Sequence, residues 1–248
     1  MNEKIEQLKH LLGNCERAVV FTGAGISTES GILDFRSPGG IWSQHKPVDF
    51  SDFIAHADAR RAAWRLKLMF DQDIKNAAPN RGHLAIAHLV EKGIVSHIIT
   101  QNVDGLHQQS GVGEDNIIEL HGNATYAHCL DCGQHYALTP IKENFERDET
   151  LPTCEHCGGL VKAATISFGQ AMPEKAMLQA ETVTNNCDLF LAIGSSLVVY
   201  PAASFPTIAK RNGAKLVIIN RDPTDIDASA DLLIHDEIGL TLDNAVPK

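Results

Sequence analysis

Apolar positions along the chain follow two rhythms. Near the start, Ile5, Leu8, Leu11 and Leu12 recur at helical spacing and predict a helix over 3–12. Elsewhere they come as short runs: Val19-Val20-Phe21, His97-Ile98-Ile99, Leu189–Ile193 and Leu216–Ile219. Runs without alternation fit strands buried on both faces, as in a parallel sheet. The predicted order begins with helix 3–12, strand 18–22 and a glycine-rich turn. Helix 83–91, strand 96–100, a short helix near 105–109 and strand 116–120 follow. Helix 174–185, strand 189–193, helix 202–211 and strand 216–220 complete it. Strands alternating with helices predict an α/β fold with a doubly wound, Rossmann-like parallel sheet. Two strand-poor stretches, 37–80 and 125–162, interrupt the alternation. They predict a smaller unit, part helical insertion and part cysteine module, on a main domain of 1–36, 81–124 and 163–248. A ligand is expected in the crevice at the strands' carboxyl ends.

Length and composition narrow the class. A chain of 248 residues buries a full core without staples. Its longest apolar runs, such as Leu189–Ile193, are too short to span a bilayer, so no membrane partner is expected. The opening residues show no basic region followed by an apolar stretch, which argues against a secretory signal and for a cytoplasmic location. A net charge of −10 disfavours nucleic-acid binding and suits lysine-rich partners. Of six cysteines, four form two Cys-x-x-Cys pairs, which here argue for metal rather than disulfides. Cys15 and Cys187, beside predicted strands, are expected to be buried thiols.

Polar residues gather where the predicted strands end. Gly23-Ala24-Gly25-Ile26-Ser27-Thr28 follows the first strand. Its glycines permit close backbone approach to a pyrophosphate, or simply make a strand-to-helix turn. Thr28 stands where a dehydrogenase fingerprint has its third glycine, so that fingerprint is imperfect. Further on, Asp34-Phe35-Arg36 offers an arginine for a phosphate clamp and a phenylalanine to shield a reactive centre. A surface ion pair and a core ring are the plainer readings. Gln101-Asn102-Val103-Asp104 ends the next strand, as ligand groups or as helix caps. His121-Gly122 ends another, and histidine is the usual general base. Gly194-Ser195-Ser196 and Asn220-Arg221 repeat the pattern and could grip phosphate or ribose. Cys129-x-x-Cys132 with Cys154-x-x-Cys157, each followed by glycine, is the most specific isolated signal: four thiolates for one structural zinc. A redox thiol pair is the alternative.

Taken together, these stretches resemble the sirtuins, NAD-dependent protein deacylases. The match runs in the family's order through Gly23–Ser27, Gly31–Arg36, Gln101–Asp104, His121-Gly122, the four cysteines, Gly194–Ser196 and Ile219-Asn220. The resemblance implies that Gly23, Ala24, Gly25, Asp34, Phe35 and Arg36 line the loop over NAD. It places Gln101, Asn102 and Asp104 around nicotinamide and its ribose, with Asn102 also catalytic. Gly194, Ser195, Ser196, Asn220 and Arg221 would take the ADP part, and His121 would be the base. Phe168, Gly169, Val198 and Val199 would sandwich an acyl-lysine peptide as an added strand. The implied reaction spends NAD, releases nicotinamide and moves the acyl group of a protein lysine to ADP-ribose. Mono-ADP-ribosylation or NAD hydrolysis at the same site, and an NAD sensor without turnover, are the alternatives. Leu33, where proline is frequent, and Gln170, where glutamate is frequent, bear on peptide preference. Sirtuins that favour acidic acyl groups carry a Tyr-x-x-Arg pair; aligning this chain puts Arg65 and Leu68 at those positions. Neutral acyl groups are therefore expected.

Overall fold

The computed structural model describes residues 2–34 and 40–246. The first half runs α1 (Asn2–Asn14), β1 (Ala18–Thr22), a 3₁₀ helix (Ala24–Ser30), α2 (Ile41–Gln44), α3 (Phe50–Ala55), α4 (Ala57–Asn76) and α5 (Arg81–Glu91). Next come β2 (Val95–Thr100), α6 (Leu106–Gln109), β3 (Ile117–Glu119), β4 (Gly122–Cys129), β5 (His135–Ala137), α7 (Leu138–Asp148) and β6 (Val161–Thr165). The chain then forms α8 (Glu174–Asn185), β7 (Leu189–Ile193), α9 (Phe205–Arg211), β8 (Lys215–Ile219), β9 (Leu232–Ile234) and α10 (Ile238–Ala245).

The expected parallel sheet is present, six-stranded in the order β3-β2-β1-β7-β8-β9. All five residues of β1 and of β7 are buried, which is why these strands read as unbroken apolar runs. Alternate side chains serve opposite faces. Val20, Ile98, Leu191 and Val217 pack under α1, α5 and α10 through Leu8, Leu12, Ile86, Leu89 and Leu242. Val19, Phe21, Phe190 and Leu216 pack under α8 and α9 through Ala180, Phe205 and Ala209. The order reverses between β1 and β7: the chain builds outward from β1 to β3, then returns beside β1 and builds outward to β9. That reversal opens a crevice above adjacent strand ends.

Differences from the sequence expectations are local. The turn after β1 winds into a 3₁₀ helix instead of a Rossmann α-helix, closed by Gly31 at φ 85°. Helix 202–211 is a 3₁₀ turn followed by α9, which starts at Phe205-Pro206 because a proline near the start needs no N–H partner. β9 and α10 were not expected; three residues of strand are too few to show a period. Among the described residues, the stretch 37–80 holds α2–α4, and 125–162 holds α7 and, around the cysteines, most of an antiparallel sheet in the order β5-β4-β6. Trp64 of α4 packs with Ala127, Leu138, Ile141, Phe145 and Val161, so these stretches share a third core cluster. Cys187 is buried and Cys15 half-buried. Among the described residues no helix is long and apolar enough to cross a membrane.

Candidate active site

Just past the carboxyl ends of the strands, backbone hydrogen bonds continue across the sheet. Leu120 N donates to Thr100 O, Gln101 N to Thr22 O, Gly23 N to Ile193 O, Gly194 N to Ile219 O and Asn220 N to Ile234 O. The next residues of five strands are thus fixed in one row by sheet register alone. At its centre the turns after β1 and β7 interlock. Gly25 N donates to Gly194 O at 2.8 Å. A Cβ on Gly23 would lie 2.7 Å from Gly194 O, and one on Gly194, at φ 64°, 2.4 Å from Ile26 N. Side chains are excluded here, which leaves bare backbone of the kind a pyrophosphate can approach.

Beside that backbone lies a buried polar group. Ser27 Oγ donates to Asp104 Oδ2 at 2.7 Å and accepts from Asn102 Nδ2 at 3.2 Å. Asp104 Oδ1 accepts from Leu106 N at 3.0 Å, so the helix-cap reading also holds for this residue. Gln101 Nε2 donates to Ser195 Oγ at 2.8 Å, joining the ends of β2 and β7. His121 Nδ1 lies 3.0 Å from Gln101 O. A carbonyl only accepts, so Nδ1 carries the proton and Nε2 keeps its lone pair. Burial lowers the His121 pKa, partly offset by that carbonyl, so the neutral imidazole is favoured near pH 7.

These residues line one cleft of about 720 Å³. Gly23, Ala24, Gly25, Asp34, Gln101, Asn102, Asp104, His121, Gly194, Ser195, Ser196, Asn220, Arg221, Phe168, Gly169 and Val199 all contribute to its wall. Val198 is exposed and outside that lining. Phe35 and Arg36 lie outside the described residues. Phe168 is anchored through its carbonyl, which accepts from Phe50 N at 2.8 Å. Arg65 and Leu68, aligned by sequence with the acyl-end positions, do not line the cleft. Arg65 is turned away to Glu149, with Nε 2.6 Å from Oε1, and Leu68 packs against the third core cluster. Lys67 and Phe70 face the cleft instead, on the helical stripe that also carries Ala63, Leu66, Asp73 and Ile74.

Several participants carried no signal of their own in the sequence. Asn80 caps α5, accepting from Gly82 N, while its Nδ2 donates to Ile26 O at 2.7 Å and ties the 3₁₀ helix down. Glu29 accepts from Arg81 Nε and Gly239 N, both at 2.9 Å. Below the floor, Thr22 Oγ1 donates to Thr100 Oγ1 at 2.8 Å and lies 3.0 Å from His107 Nε2. The His107 ring meets that of His83, centroids 5.1 Å apart. Lys162 is buried at the cleft wall, its ammonium on the carbonyls of Ala163 and Thr165. Only the fold brings these together.

Away from the cleft, Cys129, Cys132, Cys154 and Cys157 place their sulfurs within 4.8 Å of one another. Cys129 and Cys157 are 3.5 Å apart and Cys132 and Cys154 3.6 Å. Disulfide sulfurs lie about 2.0 Å apart, whereas four thiolates each ~2.3 Å from one zinc lie about 3.8 Å apart. The donor set therefore fits a closed, structural zinc. Gly133 N donates to Cys129 O and Gly158 N to Cys154 O, each glycine at positive φ, which makes the two knuckles.

Comparison with known proteins agrees with this geometry. Residues 23–201 match the family model for the Sir2 family. A Rhodopseudomonas palustris protein named NAD-dependent protein deacetylase is 53% identical over 98% of this chain and 96% of its own length. An Archaeoglobus fulgidus protein named NAD-dependent protein deacylase 2 is 40% identical over 99% of this chain and 96% of its own. A solved Sir2 structure with p53 peptide and NAD+ is similar with a TM-score of 0.86 and 35% identity, covering 96% of this chain and 95% of that one. The chain belongs to the Sir2 family.

Proposed function

We propose that this protein is an NAD-dependent protein-lysine deacylase that transfers the acyl group to ADP-ribose and leaves free lysine and nicotinamide. NAD, when bound, supplies an electrophilic ribose carbon and nicotinamide as leaving group. The bare backbone of Gly23, Ala24, Gly25 and Gly194, with Ser195, Ser196, Asn220 and Arg221, would hold its ADP part. Gln101, Asn102 and Asp104, with Asp34, would surround the nicotinamide ribose. Phe35 and Arg36 belong to the same proposed loop by sequence alone. The peptide would lie between Phe168-Gly169 and Val198-Val199, pairing through backbone as an added strand. His121 would remove a proton from a ribose hydroxyl through its free Nε2, activating that oxygen toward the acyl carbon. The carrying observation is that Gln101 O holds His121 through Nδ1, which leaves Nε2 able to accept a proton, in the same cleft as the Ser27–Asn102–Asp104 group. One structural zinc would hold the cysteine module.

We also propose that 37–80 and 125–162 act as the smaller unit, on the ground of their shared core. A cytoplasmic location is supported by the cysteine set, suited to metal and not to disulfides. The test is to incubate the protein with NAD and an acetyl-lysine peptide and weigh both products. Loss of the acetyl mass from peptide, with its gain on ADP-ribose, is expected. A peptide that instead gains ADP-ribose would establish the transferase alternative.

A further inference from the structure

The wall of the cleft made by α4 is apolar but for Lys67 and, near its far end, Asp73. Ala63, Leu66, Phe70 and Ile74 fall on one helical stripe, with Phe53 also in the lining. Lys67 stands in that stripe, its side chain 11% exposed, with Nζ 2.8 Å from Asp71 Oδ1. Asp71 lies one turn on, is 2% exposed and is absent from the lining. Its other oxygen is 2.8 Å from Nζ of Lys75, which reaches solvent. The other lysine in the lining, Lys162, is committed to backbone carbonyls. Arg61 and Arg65 pair outside the cleft with Asp58 and Glu149.

We propose that Asp71 sets the acyl preference of this enzyme: by holding Lys67 in a buried ion pair it admits neutral acyl groups and excludes anionic ones. The inference rests on the deacylase reading and adds a positioning residue to it. Asp71 acts through Lys67 and does not touch substrate. An incoming carboxylate would have to shed its own water and displace one already desolvated by folding, so the exchange favours the resident pair. Asp73, also in the lining, adds repulsion. With Asp71 neutral, Lys67 becomes a buried ammonium without counter-charge, which an acidic acyl end would satisfy.

Matched peptides carrying acetyl-, octanoyl- and succinyl-lysine separate the possibilities by kcat/KM, and by Kd measured without NAD. In the unmodified protein succinyl should run at least about tenfold below acetyl. Asp71→Asn should raise the succinyl-to-acetyl ratio by about tenfold or more in both readouts, the scale of one charge-assisted hydrogen bond. Lys67→Met alone should leave that ratio within about threefold, and in the Asp71→Asn background should cancel the gain. A succinyl peptide processed as fast as acetyl overturns the proposal. So does Asp71→Asn with normal melting and acetyl binding but an unchanged ratio. A gain that survives Lys67→Met does the same and moves recognition to Lys162. If Asp71→Asn does not fold, Lys67→Met decides, since a tenfold loss of succinyl turnover would show Lys67 exchanging partners. Absence of acetyl-lysine turnover in the unmodified protein sinks the deacylase reading instead, so the two failures are distinct.

Discussion

At the scale of single residues, the chemistry depends on which atoms are already spoken for. His121 spends Nδ1 on a carbonyl, so only Nε2 can act. Its folded pKa is lowered chiefly by burial, so the neutral base persists below pH 6.5 and is lost only at lower pH. The acid limb of kcat/KM for the free enzyme should therefore fall below about pH 6.5. His121→Ala should keep NAD affinity and lose about 10²–10⁴ in turnover. An acid limb at pH 7 or above, or a turnover loss under tenfold, would remove His121 from that role. Ser27 is the hub of the neighbouring group, and Ser27→Ala strands Asp104 Oδ2 and Asn102 Nδ2 in a buried place. Each orphaned partner costs about 1–3 kcal/mol. Weaker NAD use and weaker nicotinamide inhibition should appear together in that variant. Unchanged nicotinamide sensitivity would move the leaving-group pocket elsewhere. The motif containing Ser27 was legible in the sequence, but its position between Asn102 and Asp104 was not, because those residues lie some 75 positions away.

At the scale of elements, the legible parts are those whose signal is local. The buried strands announced themselves through runs of apolar residues, and the zinc knuckles through cysteine spacing and glycines. β9 and α10 escaped because a three-residue strand has no period. The face of α4 also escaped. Arg65, Lys67 and Leu68 are near neighbours in sequence, and only packing decides that Lys67 faces the cleft. The zinc module carries a prediction of its own. Cys129 and Cys154 lie in the core that also buries Trp64, Leu138 and Phe145, so losing the metal would unseat α4 with it. A four-thiolate zinc contributes on the order of 10–16 kcal/mol, much of it folding energy. Cys129→Ala should bind no zinc by elemental analysis and yield little soluble, active protein. A well-folded, active and zinc-free Cys129→Ala protein would refute the structural role.

At the scale of the whole molecule, buried polar links lie beneath the cleft floor where β1 and β2 end. His107, buried beneath that floor, reaches Thr22 Oγ1 with Nε2, and His83 meets its ring edge-on from α5. Burial, partly offset by Asp104 and Glu29, lowers the pKa of His83 to about 4, and burial together with repulsion from His83 lowers that of His107 to about 3. Both are below the ordinary value of about 6.5 expected in the unfolded chain. As pH falls past 6.5 the unfolded chain takes up protons that the folded one refuses, so unfolding is progressively favoured. The stability these neutral rings retain is complete above about pH 6.5 and drains away toward about pH 3. The slope is at most ~1.4 kcal/mol per pH unit for each ring. Denaturant titrations at pH 7.5 and pH 5 should show a clear loss of stability, and His83→Gln with His107→Gln should reduce that loss even if the variant is weaker at both pH values. An equal loss in the double variant would mean that other groups, not this pair, set the acid limit of the fold.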